Sequence, residues 1–407
     1  MQKSVLMITQ GKEYLKKMGP AWIISAVACG PATLASVSTA GARYAYGLLW
    51  VVVLSALFGT TVQYLAAKIG VVSGKGIIRA TEEHLGKTWA WILTIDALIA
   101  TWLAAMVLMN ALSGITSVLT GIQTPYWGVF FGLVIGGLLV GGGYRWFESL
   151  CKLLVVCVVC CFVMVLFMSS LNAQEILSGL IPQFPGGMGS ALLSAAIMGG
   201  AVHITIIGMH TYNVNARHWN TNDLGLARFD TVLSMGFAFG LYSVAIFLVS
   251  AAVLHPNQVS VTKATDAAMA LAPLLGTSAM MVFLIGLFTA AFSTIAPTFL
   301  AGAFFLADKM HWPLSVKDRR FSGVILFGCV LSMLGPFIKT SFYLLLPLML
   351  ALGLTGTPLV IAIILYLLNK TDLKNRAPNN FFLNAMGVLT LLVTTFLALR
   401  FVITKIS

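Results

Sequence analysis

The feature that most restricts this chain is what its apolar stretches leave out. Between Ala21 and Val402 they run almost end to end, and a single acidic residue, Asp96, falls well inside any of them. Only 9% of the residues are charged against 59% hydrophobic, with a mean hydropathy of +0.96. A soluble domain keeps roughly a quarter of its residues charged, so the solvent of this chain is lipid. An intramembrane acid is the usual handle for moving a cation or a proton, and a multi-span protein with almost none is restricted in what it carries.

A helix needs about 20 mostly apolar residues to cross the hydrocarbon core. Eleven stretches qualify: 19–40, 46–70, 89–120, 126–142, 150–170, 191–214, 231–254, 277–306, 321–338, 341–368 and 381–403. Helices satisfy their own backbone in lipid, and the ten-residue alternation of barrel strands is not seen. With the N-terminus placed in the cytoplasm, nineteen of the 24 Lys and Arg residues fall on that side. Only Arg43, Lys263, Lys339, Arg400 and Lys405 fall on the other. This asymmetry sets the expected orientation and explains the net charge of +12 as topology, not a nucleic-acid stripe. Residues 1–18 are basic and amphipathic without a short apolar core and small-residue cleavage site, so they read as a cytoplasmic N-terminal segment. The protein is expected in the cell membrane.

Other chemistry finds little support. The six cysteines sit in or at the ends of spans as small hydrophobes, and Cys157, Cys160 and Cys161 have no His or carboxylate in their helix. There is no Walker-type phosphate loop, no loop long enough for a soluble catalytic core, and no hydrolase constellation around His203. The chain is read as a non-enzyme without cofactor. Gly141-Gly142-Gly143 before Tyr144-Arg145 reads as a tight cytoplasmic turn.

Two spans cannot be continuous helices. The first carries Cys29-Gly30-Pro31-Ala32-Thr33 at its middle, where proline removes a donor and disfavours α geometry before it. Taken alone, this could be an ordinary proline kink. The sixth carries Gly199-Gly200 and Gly208 around Ala201, His203, Thr205 and His210, and paired glycine weakens a helix. Breaks at corresponding positions of two five-helix halves point to an inverted repeat with a site where the broken helices meet. The expected units are 19–175 for the first repeat, 185–370 for the second, and 381–403 for an extra helix.

The chain carries Gly19-Pro20-Ala21-Trp22, Gly30-Pro31, the run from Gly41 to Trp50, and the run from Ala67 to Lys75. It also carries Tyr144-Arg145 with Glu148, Gly286-Leu287-Phe288 and Ser293-Thr294-Ile295. Together these segments resemble the Nramp family of proton-coupled transporters of divalent transition metals. The resemblance implies an all-α integral membrane protein of the LeuT type within the APC superfamily. It implies 11 transmembrane helices, two inverted five-helix repeats plus one, with helices one and six broken at the midplane, and a monomer.

The family's functional motifs carry over poorly. It holds metal with Asp-Pro-Gly-Asn in helix one, where this chain reads Gly30-Pro31-Ala32-Thr33. In helix six, the family's Met-Pro-His falls on His203-Ile204-Thr205 when aligned on His210. The helix-three carboxylates of its proton route fall on Trp102 and Ala105. A divalent cation in a low-dielectric site needs anionic or strongly polar ligands, and His203 is the only strong one among these. Losing the Asp and Asn side chains should leave a roomier, nearly neutral site.

The expected solute-binding residues are therefore Gly30, Ala32, Thr33, Gly200, His203 and Thr205, with no metal ligand set. Ser25, Thr33 and Thr205 either line the cavity or bond back to their own helix. The coupling candidates are Asp96, His210, Trp102 and Ala105. His203 and His210, seven apart, should share a helical face, while Asp96 should face away from Trp102. The function expected is a metal-independent secondary transporter of a larger, neutral or weakly charged small molecule. The alternative is a divalent metal transporter with altered ligands built on His203. A channel on the same scaffold is a third reading, disfavoured by the absence of a ring of charge. A wide wet cavity beside Gly30 and His203 would favour the organic solute, and a pocket about one ion wide the metal.

Overall fold

Proline and glycine place most of the helix ends. The computed structural model describes residues 13–142, 144–259, 261, 268, 276–338 and 342–406. Gly143, Lys263, Lys339 and the first twelve residues of the expected N-terminal segment lie outside them. The first expected span is two helices, α1 (Pro20–Ala28) and α2 (Pro31–Tyr44). Pro31 is the first residue of α2, where a missing N–H is harmless because that position has no intrahelical partner. A 3-10 turn, Ala45–Leu48, leads into α3 (Leu49–Ser73), which stops at left-handed Gly74 with φ 66°. Short α4 (Ile77–Leu85) precedes α5 (Lys87–Thr120), which ends at Gly121 with φ 75°. Then come α6 (Tyr126–Gly142), α7 (Tyr144–Phe167) and short α8 (Ala173–Gly179).

The sixth expected span is also two helices, α9 (Gly187–Val202) and α10 (Ile204–Ala216). The seventh is a composite: α11 (Leu224–Thr231), π-turns at Val232–Phe239, α12 (Gly240–Val249), and π-turns at Ser250–Leu254. The rest are α13 (Thr277–Lys309), α14 (Arg319–Met333) with a 3-10 turn at Gly335–Phe337, α15 (Phe342–Asn369), α16 (Thr371–Lys374) and α17 (Phe381–Ile406). Among the described residues nine helical runs are long and apolar enough to cross a membrane. The number differs from eleven for two reasons. Pro31–Ser73 joins parts of the first two expected spans, and the helix at Tyr126–Gly141 is too short to qualify.

The bundle is apolar on its outer wall as well as in its core. Ile95, Ile99 and Leu103 on α5, Leu153, Val156 and Phe167 on α7, and Leu392, Phe396 and Leu399 on α17 are exposed, as a lipid-facing wall requires. The broken helices occupy the centre: α1 and α2 contact α7, α13 and α9, while α9 and α10 contact α15 and α3.

Acidic groups at the ends of spans, which the sequence reading placed outside the apolar stretches, are buried and tie one end of the bundle together. Asp230 on α11 accepts from the Gly19 amide at 3.0 Å and from the Ala21 amide at 2.9 Å. These are donors that the start of α1 cannot satisfy itself, and a carboxylate there also complements the helix dipole. Glu148 on α7 takes both arms of Arg217 at 2.8 and 2.6 Å and pairs with Lys152 at 3.0 Å. Asp308 at the end of α13 accepts from Tyr212 and from the Arg79 amide, each at 3.0 Å, and Lys309 reaches Glu82 at 3.1 Å.

Asp230→Ala strands two amide donors at the start of α1. The expected cost is about 2–3 kcal/mol, read as a lowered midpoint in a detergent thermal melt. An unchanged midpoint would show that the tie does not hold α1.

Candidate functional site

The two helix breaks face each other, and each has a local cause. In the first, α1 closes on Cys29, whose amide bonds to the Ser25 carbonyl at 2.8 Å. Gly30 is extended (φ −77°, ψ 173°) and α2 restarts at Pro31. Gly30 is required by proximity: a Cβ there would lie 2.5 Å from Thr294 Oγ1 and 2.9 Å from the Val27 carbonyl. In the second, the break is a single residue. His203 (φ −69°, ψ 143°) ends α9 and begins α10. Gly199 and Gly200, the expected weak point, remain helical. Their missing side chains instead allow close approach, to the Leu350 carbonyl and to Thr33 Oγ1 respectively.

Hydroxyls from three surrounding helices reach carbonyls at the breaks. The Thr294 hydroxyl on α13 is shared between the Ala290 carbonyl of its own helix at 2.7 Å and the Ala26 carbonyl at 2.9 Å. Tyr242 on α12, set between two π segments, donates at 3.2 Å to the Gly30 carbonyl, which also accepts the Leu34 amide at 3.1 Å in the first turn of α2. Thr357 on α15 donates to the Val202 carbonyl at 2.7 Å. A freed carbonyl in lipid must be paired, so these bonds fix both breaks.

Between the breaks lies a cavity of about 40 Å³. Ala32, Thr33, Gly200, His203 and Thr205 line it, with Gly30 just behind Thr294. Val27 of α1, Thr101, Ala104 and Leu108 of α5, Ile206 of α10, Thr294 and Thr298 of α13, and Met349 and Leu350 of α15 complete the wall. The lining carries hydroxyls, an imidazole and a thioether, and no carboxylate. One water needs about 10–15 Å³ on this measure, so the cavity holds a few waters at most. The roomier site expected from the small residues at 30 and 33 is not found, because the Thr294 side chain occupies the space beside Gly30 and Thr33 packs onto Gly200.

His203 is 6% exposed. Its Nδ1 meets Thr205 Oγ1 at 2.7 Å and the Thr205 amide at 3.3 Å. Its Nε2–Cδ2 edge packs against α15 at Gly353, where a Cβ would collide with both atoms. Thr205 thus orients the imidazole, and Ser25 bonds back to the Trp22 carbonyl at 3.1 Å.

The coupling candidates are dispersed. His210 does not share a face with His203, since the extended residue rotates one against the other. Its Nδ1 lies 3.2 Å from Gln63 Oε1 on α3, and among the described residues its Nε2 has no partner. Trp102 packs edge-on against Phe327 of α14, centroids 5.2 Å apart. Ala105 is wholly buried in the core. Asp96 turns to α15, its Oδ2 against Gly356. Among the described residues no group of three or more His, Cys, Asp or Glu side chains converges. Sequence reasoning missed Tyr242, Thr294, Thr357 and the two α15 glycines. The signal available was Gly353-Leu354-Thr355-Gly356-Thr357-Pro358, a polar interruption in an apolar span.

Residues 21–404 match the family model described as natural resistance-associated macrophage protein-like. The chain is 27% identical over 322 residues to the divalent metal cation transporter MntH of Mycobacterium tuberculosis, covering 74% of this chain and 72% of that protein. It is 26% identical over 318 residues to MntH of Deinococcus radiodurans, covering 76% and 72%. The manganese transporter of Eremococcus coleocola superposes with a TM-score of 0.77 at 19% identity, over 95% of this chain and 86% of that one. MhsT, in complex with L-phenylalanine, superposes with a TM-score of 0.62 at 16% identity, over 94% of this chain and 98% of that one. The architecture is therefore the LeuT-type all-α membrane fold. These relatives overturn the expectation of a metal-independent carrier for a larger, neutral or weakly charged solute, since the curated ones are named divalent metal cation transporters. The small cavity agrees with the correction.

Thr357→Val leaves the Val202 carbonyl without its donor. The expected loss is about 1–3 kcal/mol, seen as a lower melting midpoint, whereas Thr355→Val, on an exposed hydroxyl bonded within its own helix, should leave the midpoint nearly unchanged.

Proposed function

The chain belongs to the Nramp family, and from that membership we propose that it is a secondary transporter whose cargo is a divalent metal cation, held through His203 by a ligand set different from the family motif. The carrying observation is a pocket a few waters wide between two helix breaks, with an imidazole fixed at its wall. The names of the curated relatives support the same cargo.

The donors available are neutral. The Thr205 amide donates to His203 Nδ1, which leaves the ring proton on Nε2; ligation through Nε2 therefore requires the other tautomer, in which Nδ1 gives up that amide bond and donates to the Thr205 hydroxyl. Met349 supplies a thioether, and Thr33 and Thr298 supply hydroxyls. Imidazole and thioether favour transition metals over calcium or magnesium. The carbonyl ends of α1 and α9 and the amide ends of α2 and α10 open on the same two breaks, the former each worth about half a negative charge and the latter about half a positive one, so the choice of cargo falls to the side-chain donors.

Transport on this scaffold proceeds by rearranging the parts around a fixed site. The ties at Asp230, Glu148 and Asp308 would have to open for release on their side of the membrane. We assign that side to the cytoplasm, along with the N-terminus, on the distribution of Lys and Arg. The two repeats at 19–175 and 185–370, the monomeric state and the absence of enzymatic activity belong to this reading.

In proteoliposomes holding the full chain, saturable manganese uptake is expected. His203→Ala should bring it to background with an intact melting transition, and Thr33→Ala should weaken apparent affinity by about tenfold. Absence of manganese, iron or cadmium uptake by the unaltered protein would refute the reading.

A further inference from the structure

His203 and Asp96 arise on different parts of the chain, and both end on one face of α15. Gly353 and Gly356 are three residues apart in that helix, so their missing side chains leave neighbouring hollows. A Cβ on Gly353 would fall on His203 Nε2, and a Cβ on Gly356 would fall on Asp96 Oδ2. Cβ positions with this spacing are about 5–6 Å apart. The imidazole nitrogen and the carboxylate oxygen therefore pack against neighbouring positions of one helix. The Thr357 hydroxyl, one residue further on, holds the Val202 carbonyl beside His203, so this face of α15 is fixed against the break.

Asp96 has no evident structural employment. Among the described residues no hydrogen bond or ion pair reaches it. It is half-buried in α5 between Ile92, Ile95 and Ile99, all exposed on the lipid-facing side. An intramembrane carboxylate without a partner is costly to keep and marks an ion path more often than a packing site. The cavity, meanwhile, lacks an anionic donor for a doubly charged cargo.

We propose that Asp96 supplies that anion: with His203 it forms a two-residue cation site on the Gly353–Gly356 face of α15, adjoining the cavity. The inference rests on the divalent-cation reading above. The carboxylate enters from α5, not from the break in the first span, where Gly30 has no side chain. A transition metal bonds imidazole nitrogen and carboxylate oxygen at about 2.0–2.2 Å. Rotation of the Asp96 side chain toward His203, or one intervening water, closes the remaining gap. The two glycines are specificity elements, since any larger residue would displace one ligand or the other.

The test is calorimetric titration of manganese and of cadmium into the purified full chain, with thermal melting of each variant as a folding control. The expected results are a measurable affinity for the unaltered protein, a loss of about 100-fold for Asp96→Asn, and retention within about tenfold for Asp96→Glu, which keeps the charge. Gly356→Ala, which keeps the carboxylate and only displaces it, should also weaken binding by at least about tenfold. This second variant decides the question if Asp96→Asn does not fold. If Asp96→Asn and Gly356→Ala bind as tightly as the unaltered protein while His203→Ala does not bind, the Asp96 site is wrong and the transporter reading survives. If the unaltered protein binds neither metal, the cargo reading fails first and the Asp96 site falls with it.

Discussion

Everything in this molecule depends on keeping two interrupted helices stable in a solvent that cannot hydrate them. A break frees carbonyls and amides, and lipid offers them nothing. Here part of the cost is offset by hydroxyls of neighbouring helices: Thr357 at the Val202 carbonyl, Thr294, shared with its own Ala290 carbonyl, at Ala26, and Tyr242 as a second donor to Gly30. Each bond spans two elements, so the breaks and their frame are one unit. The π segments either side of α12 fit this arrangement, since Tyr242 lies between them and reaches into the first break. Irregular helix geometry of this kind often accompanies functional positions.

The same bonds decide what remains for a solute. With those carbonyls occupied, the cavity offers His203, hydroxyls and Met349, in a volume of about 40 Å³. Small residues at 30, 32 and 33 did not produce a large pocket. Packed interiors close around missing side chains, and Thr294 and Thr33 have done so here. Cavity size was therefore not readable from the loss of two side chains on one helix. It depended on residues from α13 and α9 that no local pattern connected with the first break.

Much of the architecture was legible. Hydropathy marked the spans, and Gly30-Pro31 marked the first break to within a residue. The second break was harder to place. Gly199-Gly200 drew attention because glycine weakens helices, yet those two residues serve close packing and the chain extends at His203 instead. A helix breaks where the surrounding structure supplies partners for the exposed backbone, and Thr357 supplies one at Val202. The short helices α4 and α8 and the buried acids at 148, 230 and 308 were missed for a related reason. Their roles come from remote partners such as the amides of Gly19 and Ala21, which no local window contains. The misreading of the cargo followed from counting side-chain charge along single helices. Asp96 and His203 sit far apart in sequence, and each packs against a glycine of the same third helix.

Whether a divalent cation binds where the two broken helices meet can be seen by anomalous diffraction from crystals soaked in manganese. A peak is expected in the cavity between α1–α2 and α9–α10, within coordinating distance of His203 Nε2. Well-ordered side chains around that cavity with no anomalous peak at saturating manganese would overturn the metal site.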